Sequence, residues 1–306
     1  MLHIPSSFKT TIQEVHGERG QQWIEKLPST IQELEEKLAL QIIQPFPNLS
    51  YNYVGIARKE NEQELVLKLG VPSEEFNNEI EALRHFQGEG AVTLLDSDPD
   101  YGFLLLEYIK PGMSLTHLEN EEKATTAIGQ TMKKLWKPVP AQYKFPSIEK
   151  WANGLQNLRV HFDGDTGPLP KELVEKAEDL FPQLIKTISK PLLLHGDLHH
   201  DNVLCKGLDK WVAIDPKGVI GEAEYETIAY LRNHLFNKTN PKIILANRIQ
   251  QLAEELQLDK ERIIAWGLCH CILSSWWYIE SHERVPEETI ACARWFDELR
   301  VSLKYA

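Results

Sequence analysis

The chain has 306 residues, 42% of them hydrophobic and 25% charged, enough to bury a full core and too apolar for a disordered or fibrous protein. Lys and Arg number 33 against 45 Asp and Glu, a net charge of −12 that repels phosphate backbones and anionic membranes. That balance sets aside nucleic acid and membrane partners and suits a cationic small molecule. The opening segment, from Met1 to Phe8, has no basic stretch followed by an apolar one, and nowhere do 18 apolar residues run together, so a cytoplasmic chain is expected.

In chain order, the first 45 residues read as helix. Thr30 and Glu33 make a capping-box pattern after Pro28, and Ile31, Leu34, Leu38 and Ile42 recur at helical spacing until Pro45 and Pro47. Tyr51 to Ala57 and Glu64 to Leu69 read as a β-hairpin. One helix follows, about Ser73 to Phe86, closed by Gly88 and Gly90. Short strands are then expected over Ala91 to Leu95 and Phe103 to Glu107, about the turn Pro99-Asp100-Tyr101-Gly102. This is a small α+β lobe.

Beyond Pro111-Gly112 the apolar spacing predicts helices near 120–136, 147–162, 170–188, 223–236, 241–256, 259–280 and 286–303. Three short apolar runs interrupt them: Pro191 to Leu194, Val203 to Cys205 and Trp211 to Ile214. The four cysteines are too few for a disulfide framework and lack C-x-x-C zinc spacing. Cys269-His270-Cys271 resembles a metal triplet, but in a buried helix residues i and i+2 point apart, so core packing is expected there.

The outer two apolar runs each deliver a polar cluster: His195-Gly196-Asp197-Leu198-His199-His200-Asp201-Asn202, and Asp215-Pro216-Lys217-Gly218. A hairpin would bring the two together. A carboxylate, an amide five residues later and a second carboxylate on the neighbouring strand can surround a hard cation with oxygen. One Asp is then left for the substrate. Phosphoryl transfer from a nucleotide uses this set, an Asp to accept a hydroxyl proton and an Asn with another Asp to hold Mg2+. Lys68 is the one charge inside the apolar run Leu65 to Leu69, and it suits the nucleotide phosphates. Glu79 falls on the buried stripe of the following helix while Glu81 falls opposite, which makes Glu79 the expected partner of Lys68. His199 and His200 are expected to brace their loop rather than bind metal.

Lys68, Glu79, Leu106-Glu107-Tyr108, His195-Gly196-Asp197 with Asn202, and Ile214-Asp215 resemble the aminoglycoside phosphotransferases, over roughly residues 45–300. Leu194 to Leu204 and Ala213 to Gly218 are similar to the branch of streptomycin 6-kinases and aminoglycoside/hydroxyurea resistance kinases. The resemblance implies a two-lobed protein-kinase-like fold of the α+β class. Residues 1–45 would form a helical extension, 46–110 a nucleotide-binding lobe, and 111–306 a catalytic and acceptor-binding lobe. A hinge would lie near 107–112, with ATP between the lobes. It also implies ATP-dependent transfer to a small-molecule hydroxyl, with Asp197 as base, Asn202 and Asp215 on Mg2+, Lys68 on the phosphates, and the backbone of Glu107, Tyr108 and Ile109 on adenine.

The stretch Ser50 to Gly55 lacks a glycine-rich signature, so Ser50, Asn52 and backbone N–H groups are expected to meet the phosphates. A Gly after His195 and the lack of an activation-loop signature favour a small acceptor over a protein. Glu222, Glu224 and Glu226 follow the Asp215 loop and are candidates for a cationic acceptor. Trp276, Trp277 and Tyr278, with Glu280 and Glu283, could contact an aminated sugar, although core packing explains them as well. Lys217 has no derived role. Fold does not separate an antibiotic kinase from a metabolic kinase acting on a sugar, amine or amino alcohol, nor from an idle nucleotide-binding protein. The joint presence of Lys68, Asp197, Asn202 and Asp215 speaks against the idle reading.

Overall fold

The computed structural model describes residues 4–303; the outermost ends of the expected extension and C-terminal lobe, 1–3 and 304–306, lie outside the described residues. The chain falls into two compact units, Met1–Gly112 and Met113–Ala306.

The first unit opens with helix α1, Ser6–Leu38, bent at Gly17, whose φ of 56° and ψ of −135° are non-helical. Thr30 and Glu33 lie inside this helix rather than at its start, and Pro28 is accommodated within it. Ala39, in the left-handed region, donates its N–H to the Glu35 and Glu36 carbonyls and ends the helix. Strand β1, Leu40–Pro45, follows, so the expectation of helix to residue 45 is corrected. Leu40 and Ile42 turn inward and Gln41 and Ile43 outward, a two-residue alternation that the four-residue spacing of Leu38 and Ile42 masks.

Strands β2 (Tyr53–Lys59), β3 (Glu64–Leu69), β4 (Leu94–Asp98) and β5 (Phe103–Glu107) complete an antiparallel sheet in the order β1-β2-β3-β5-β4. Leu65, Leu67 and Leu69 join Phe8, Ile12, Leu27 and Leu34 of α1 in one core. The pleat therefore sends Lys68 to the opposite face, paired in register with Val54 and Leu104. Helix α2, Glu74–Phe86, starts where the Ser73 side chain accepts the Phe76 N–H at 3.2 Å.

The second unit is helical: α3 (Glu121–Leu135), α4 (Ile148–Ala152), α5 (Gly154–His161), α6 (Lys171–Lys186), α7 (Ala223–Arg232), α8 (Pro241–Leu256), α9 (Lys260–His282) and α10 (Glu287–Leu303). The helix expected over 147–162 is broken at Asn153, where Gly154 lets Leu273 approach to within 2.6 Å of the position a Cβ would take. Helix α9 lies at the centre, packed against α5, α6, α7, α8 and α10, and Ile263 to Leu273 are all buried. Cys269, His270 and Cys271 belong to that core. The His270 ring takes the Tyr225 hydroxyl at 2.8 Å, and burial pushes its pKa down to about 3.

Five short strands sit among these helices. β6 (Lys137–Pro138), β7 (Leu192–Leu194) and β10 (Val219–Gly221) form one sheet with β7 in the middle, and β8 (Val203–Cys205) pairs with β9 (Trp211–Ala213) as a hairpin. β6 and β10 carry too few residues to leave a periodic signal in the sequence.

Candidate active site

In the second unit, β7 runs into the turn His195-Gly196-Asp197, and β9 runs into Ile214-Asp215. His195 is fully buried and joins the two turns. Its Nδ1 accepts the Asp197 N–H at 3.2 Å, and its Nε2 donates to the Ile214 carbonyl at 2.8 Å. Its own carbonyl accepts the N–H groups of Lys217 and Gly218 at 2.8 and 3.2 Å. These bonds select the neutral ring protonated at Nε2, and burial pushes the pKa down to about 4, so the knot stays neutral at pH 7.

Below the turn, both carboxylate oxygens of Glu226, in the first turn of α7, accept backbone N–H groups: His195 at 2.6 Å and Gly196 at 2.9 Å. Glu226 is 2% exposed, and burial pushes its pKa up to about 7 against the pull of those two donors. Gly196 has φ of +83°, and a Cβ there would come within 2.7 Å of Val219 Cγ1, so glycine is required on both counts.

Asn202 closes the loop from the far side. Its Nδ2 donates to the Asp197 carbonyl at 3.0 Å, and its own carbonyl accepts the Ile214 N–H at 2.9 Å. With Nδ2 so engaged, Oδ1 is the amide atom available to a ligand. Asp215 is exposed, with φ of 58°, a left-handed conformation that Asp tolerates better than most residues. Asp197, Asn202 and Asp215 are therefore brought into a single hydrogen-bonded unit by backbone groups that the sequence pattern does not reveal.

The adjacent histidines brace this loop. His199 Nδ1 accepts the Asp201 N–H at 3.3 Å, and its Nε2 lies 3.8 Å from Asp197 Oδ2. His200 stacks on Tyr230 with centroids 4.4 Å apart, and burial, then the Arg248 charge, push its pKa down to about 2.

The three candidate acceptor carboxylates differ from expectation. Glu226 is spent on the His195-Gly196-Asp197 turn. Glu222 is 6% exposed, and Arg262 Nε and Trp266 Nε1 both donate to its Oε1. Neither presents an unengaged carboxylate to a ligand. Glu224 is half-buried, its Oε1 3.4 Å from the Asp259 N–H, and burial raises its pKa. Their alternate spacing after Asp215 is the start of α7 packing against the core. Trp276 is buried, Trp277 half-buried and Tyr278 exposed.

In the first unit, Lys68 is 3% exposed and its Nζ lies 2.7 and 2.8 Å from the two oxygens of Glu79, itself 7% exposed. Glu81 pairs with Arg84 instead. Ser50 and Asn52 lie in the loop between β1 and β2, exposed and half-buried respectively. Glu107 turns its carboxylate to Thr93, accepting its N–H and its hydroxyl at 2.9 Å each. The Glu107 N–H donates to the Thr93 carbonyl at 3.0 Å, which withdraws that one backbone group from any adenine contact. Tyr108 packs edge-on to Phe46, and Ile109 is buried.

One unit carries a buried Lys–Glu pair and the other an Asp–Asn–Asp set, residue types that phosphoryl transfer uses. A profile of the aminoglycoside/hydroxyurea antibiotic resistance kinases matches residues 8–281. The chain belongs to this kinase family. It is 26% identical over 286 residues to the streptomycin 6-kinase of Streptomyces glaucescens, covering 92% of each chain. It is 29% identical over 306 residues to the hydroxyurea phosphotransferase of Kitasatospora aureofaciens, covering 96% of this chain and 85% of that one.

Solved structures share the fold of this kinase. Aminoglycoside phosphotransferase APH(4)-Ia, in a mutant complex with ADP and hygromycin B, matches with a TM-score of 0.65 at 14% identity over 90% of this chain and 98% of that one. Choline kinase LicA of Streptococcus pneumoniae matches at 0.59 and 13%, over 91% and 99%. The fold is protein-kinase-like, a β-rich unit with one buried helix contact for its lysine and a larger helical unit. No helix among the described residues is long and apolar enough to cross a membrane.

Proposed function

We propose that this kinase transfers the γ-phosphate of ATP to a hydroxyl of a cationic small molecule, an aminoglycoside such as streptomycin. The observation that carries the reading is the His195 knot, which ties the Asp197 turn and the Asp215 loop to each other while Asn202 ties them from the other side. A structural loop has no need of three such ties around two carboxylates and an amide.

Asp197 would orient the acceptor hydroxyl and take its proton; its carboxylate is partly exposed, as a base that meets solvent-borne substrate must be. Lys68, held by Glu79, would meet the nucleotide phosphates, with Ser50 and Asn52 over them and the backbone of Glu107 to Ile109 on adenine. Asn202 Oδ1 and the Asp215 carboxylate would hold Mg2+. The described residues contain no group of three His, Cys, Asp or Glu able to hold a metal. Mg2+ fits such a poor protein donor set, since it keeps waters and takes phosphate oxygens besides one or two side chains. When bound, that ion supplies neutralisation of charge on the phosphoryl oxygens.

The test is transfer of labelled γ-phosphate from ATP to streptomycin and, given the relative at 29% identity, to hydroxyurea. Wild type should label streptomycin, and Asp197→Ala should abolish labelling while retaining nucleotide binding. Undiminished turnover by Asp197→Ala would refute the base assignment; labelling of a sugar or amino alcohol alone would move the acceptor to the metabolic class.

A further inference from the structure

The geometry points to Trp151, with Trp277 behind it, as a rigid aromatic platform that positions a guanidinium- or ammonium-bearing acceptor beside Asp197; the inference deepens the proposed kinase reading and rests on it. Helix α4 is fastened to the strand that follows the Asp215 loop. Ile220 donates its N–H to the Pro146 carbonyl at 2.8 Å, Ser147 bridges to Ile220, and Gly221 leaves room for Ile148. The helix is short, yet its place is fixed relative to the catalytic turn. Trp151 uses that anchorage to reach the turn: its Cη2 lies 3.2 Å from the position a Gly196 Cβ would occupy, one residue before Asp197.

The ring is braced from two other directions. Trp277 meets it edge-on at 5.6 Å and 90°, and Tyr225 lies tilted at 6.3 Å. Trp277 in turn sits over Gly154, its Nε1 3.2 Å from where a Cβ would be. Trp266 and Trp276 of the same cluster are buried at 0% and 1%, whereas Trp151 and Trp277 keep part of their surface in water. Burial of a core indole needs no open edge, and an incidental surface indole is not locked on three sides. An indole both locked and open, one residue from the proposed base, has the properties of a binding wall.

The indole face selects the ligand more than net charge does, since Lys217 Cβ also lies 3.4 Å from the same Gly196 position while two carboxylates stand near. Asp197 follows the contacted glycine, and Glu280 stands one helical turn from Trp277 on the same face of α9, exposed. A cation over an indole face is attracted by the ring quadrupole, and a planar guanidinium can also stack on it. A neutral polyol gains neither.

The experiment uses the full chain and streptomycin, which carries guanidino groups, as the probe, with uncharged trehalose as its comparison. Equilibrium dialysis without nucleotide gives binding, and initial rates give KM and kcat. Trp151→Leu should weaken streptomycin binding and raise its KM roughly tenfold, the range of a partly desolvated cation–π contact, with a smaller effect on kcat and an unchanged Kd for ATP. Trp151→Phe should recover part of the loss, which also covers the case in which the leucine variant fails to fold. Unaltered streptomycin binding by both variants, or equal binding of trehalose by wild type, overturns the platform. Trp151-dependent binding without phosphate transfer would sink the acceptor assignment and leave the platform standing.

Discussion

Replacing Glu226 with Gln separates what this carboxylate costs the fold from what it does for the Asp197 turn. Its pKa is raised from 4.5 to about 7, so in the ionised form above pH 7 it weakens the folded state by about 3 kcal/mol. At Glu226 the native protein holds the proton more tightly than the unfolded chain between those values, so the contribution of this one group to stability falls as pH rises from 4.5 to 7 and then levels off. Gln has no such linkage. The stability of wild type relative to Glu226→Gln should therefore drop by about 2 kcal/mol between pH 5.5 and pH 8. The two backbone N–H bonds are already counted in that raised pKa, so the change with pH, and not the absolute difference, isolates the carboxylate; Gln offers one carbonyl oxygen to the two N–H donors and turns its NH2 toward the other. The variant's kcat should fall: the Asp197 turn loses one of its two Glu226 ties, and a misplacement of about 1 Å costs about 10²-fold in rate. Urea unfolding followed by tryptophan emission, with all tryptophans except Trp23 in the second unit, gives the stability at both pH values. Parallel pH profiles for the two proteins, or an unimpaired kcat, would refute the reasoning.

Lys68→Met removes the cation that faces buried Glu79 and should lower the melting temperature, whereas Lys68→Met with Glu79→Leu should recover part of the loss; thermal melts of both variants check it. Gly196→Ala forces an alanine into φ of +83° against Val219, and it should lower the melting temperature by several degrees, with about 1–3 kcal/mol lost to strain alone. The second unit should lose stability progressively as pH falls from 6.5 towards 4, because the native state keeps His195 and His270 neutral, with pKa values of about 4 and 3, while the unfolded chain takes up their protons, and the two together outweigh the opposite contribution of Glu226. Replacing His270 with Gln should flatten that limb in a pH series of denaturation curves. Chelation with EDTA should stop phosphate transfer and excess Mg2+ should restore it; transfer that persists in EDTA would remove Asn202 and Asp215 from metal binding.

The legible part of the fold was the part set by strong periodicity. Helices α2, α3, α8 and α9 lie within a few residues of their apolar spacing, and the Lys68–Glu79 pair follows from asking which face of α2 is buried. The β1 error has a physical origin: Leu38 and Ile42 fit a helix as well as Leu40 and Ile42 fit a strand, and only the sheet edge offered by β2 decides between them. The motif positions Asp197, Asn202 and Asp215 were readable, but the backbone bonds that assemble them were not, because N–H and C=O groups are the same at every residue. Glu226 was noticed as an acceptor candidate, and the two backbone N–H bonds its carboxylate accepts were not readable, since spacing shows that a carboxylate is near a turn and only burial shows that it points beneath it.

The first 45 residues also alter what counts as the smallest heritable piece of this kinase. Since α1 covers one face of the sheet and β1 closes its margin, the lysine-bearing strand is braced by the segment that precedes the sheet. A descendant that shed this segment would bare Leu65, Leu67 and Leu69 to water and open the β2 margin to any passing strand. The helical extension is thus a structural wall of the sheet and not an appendage to it.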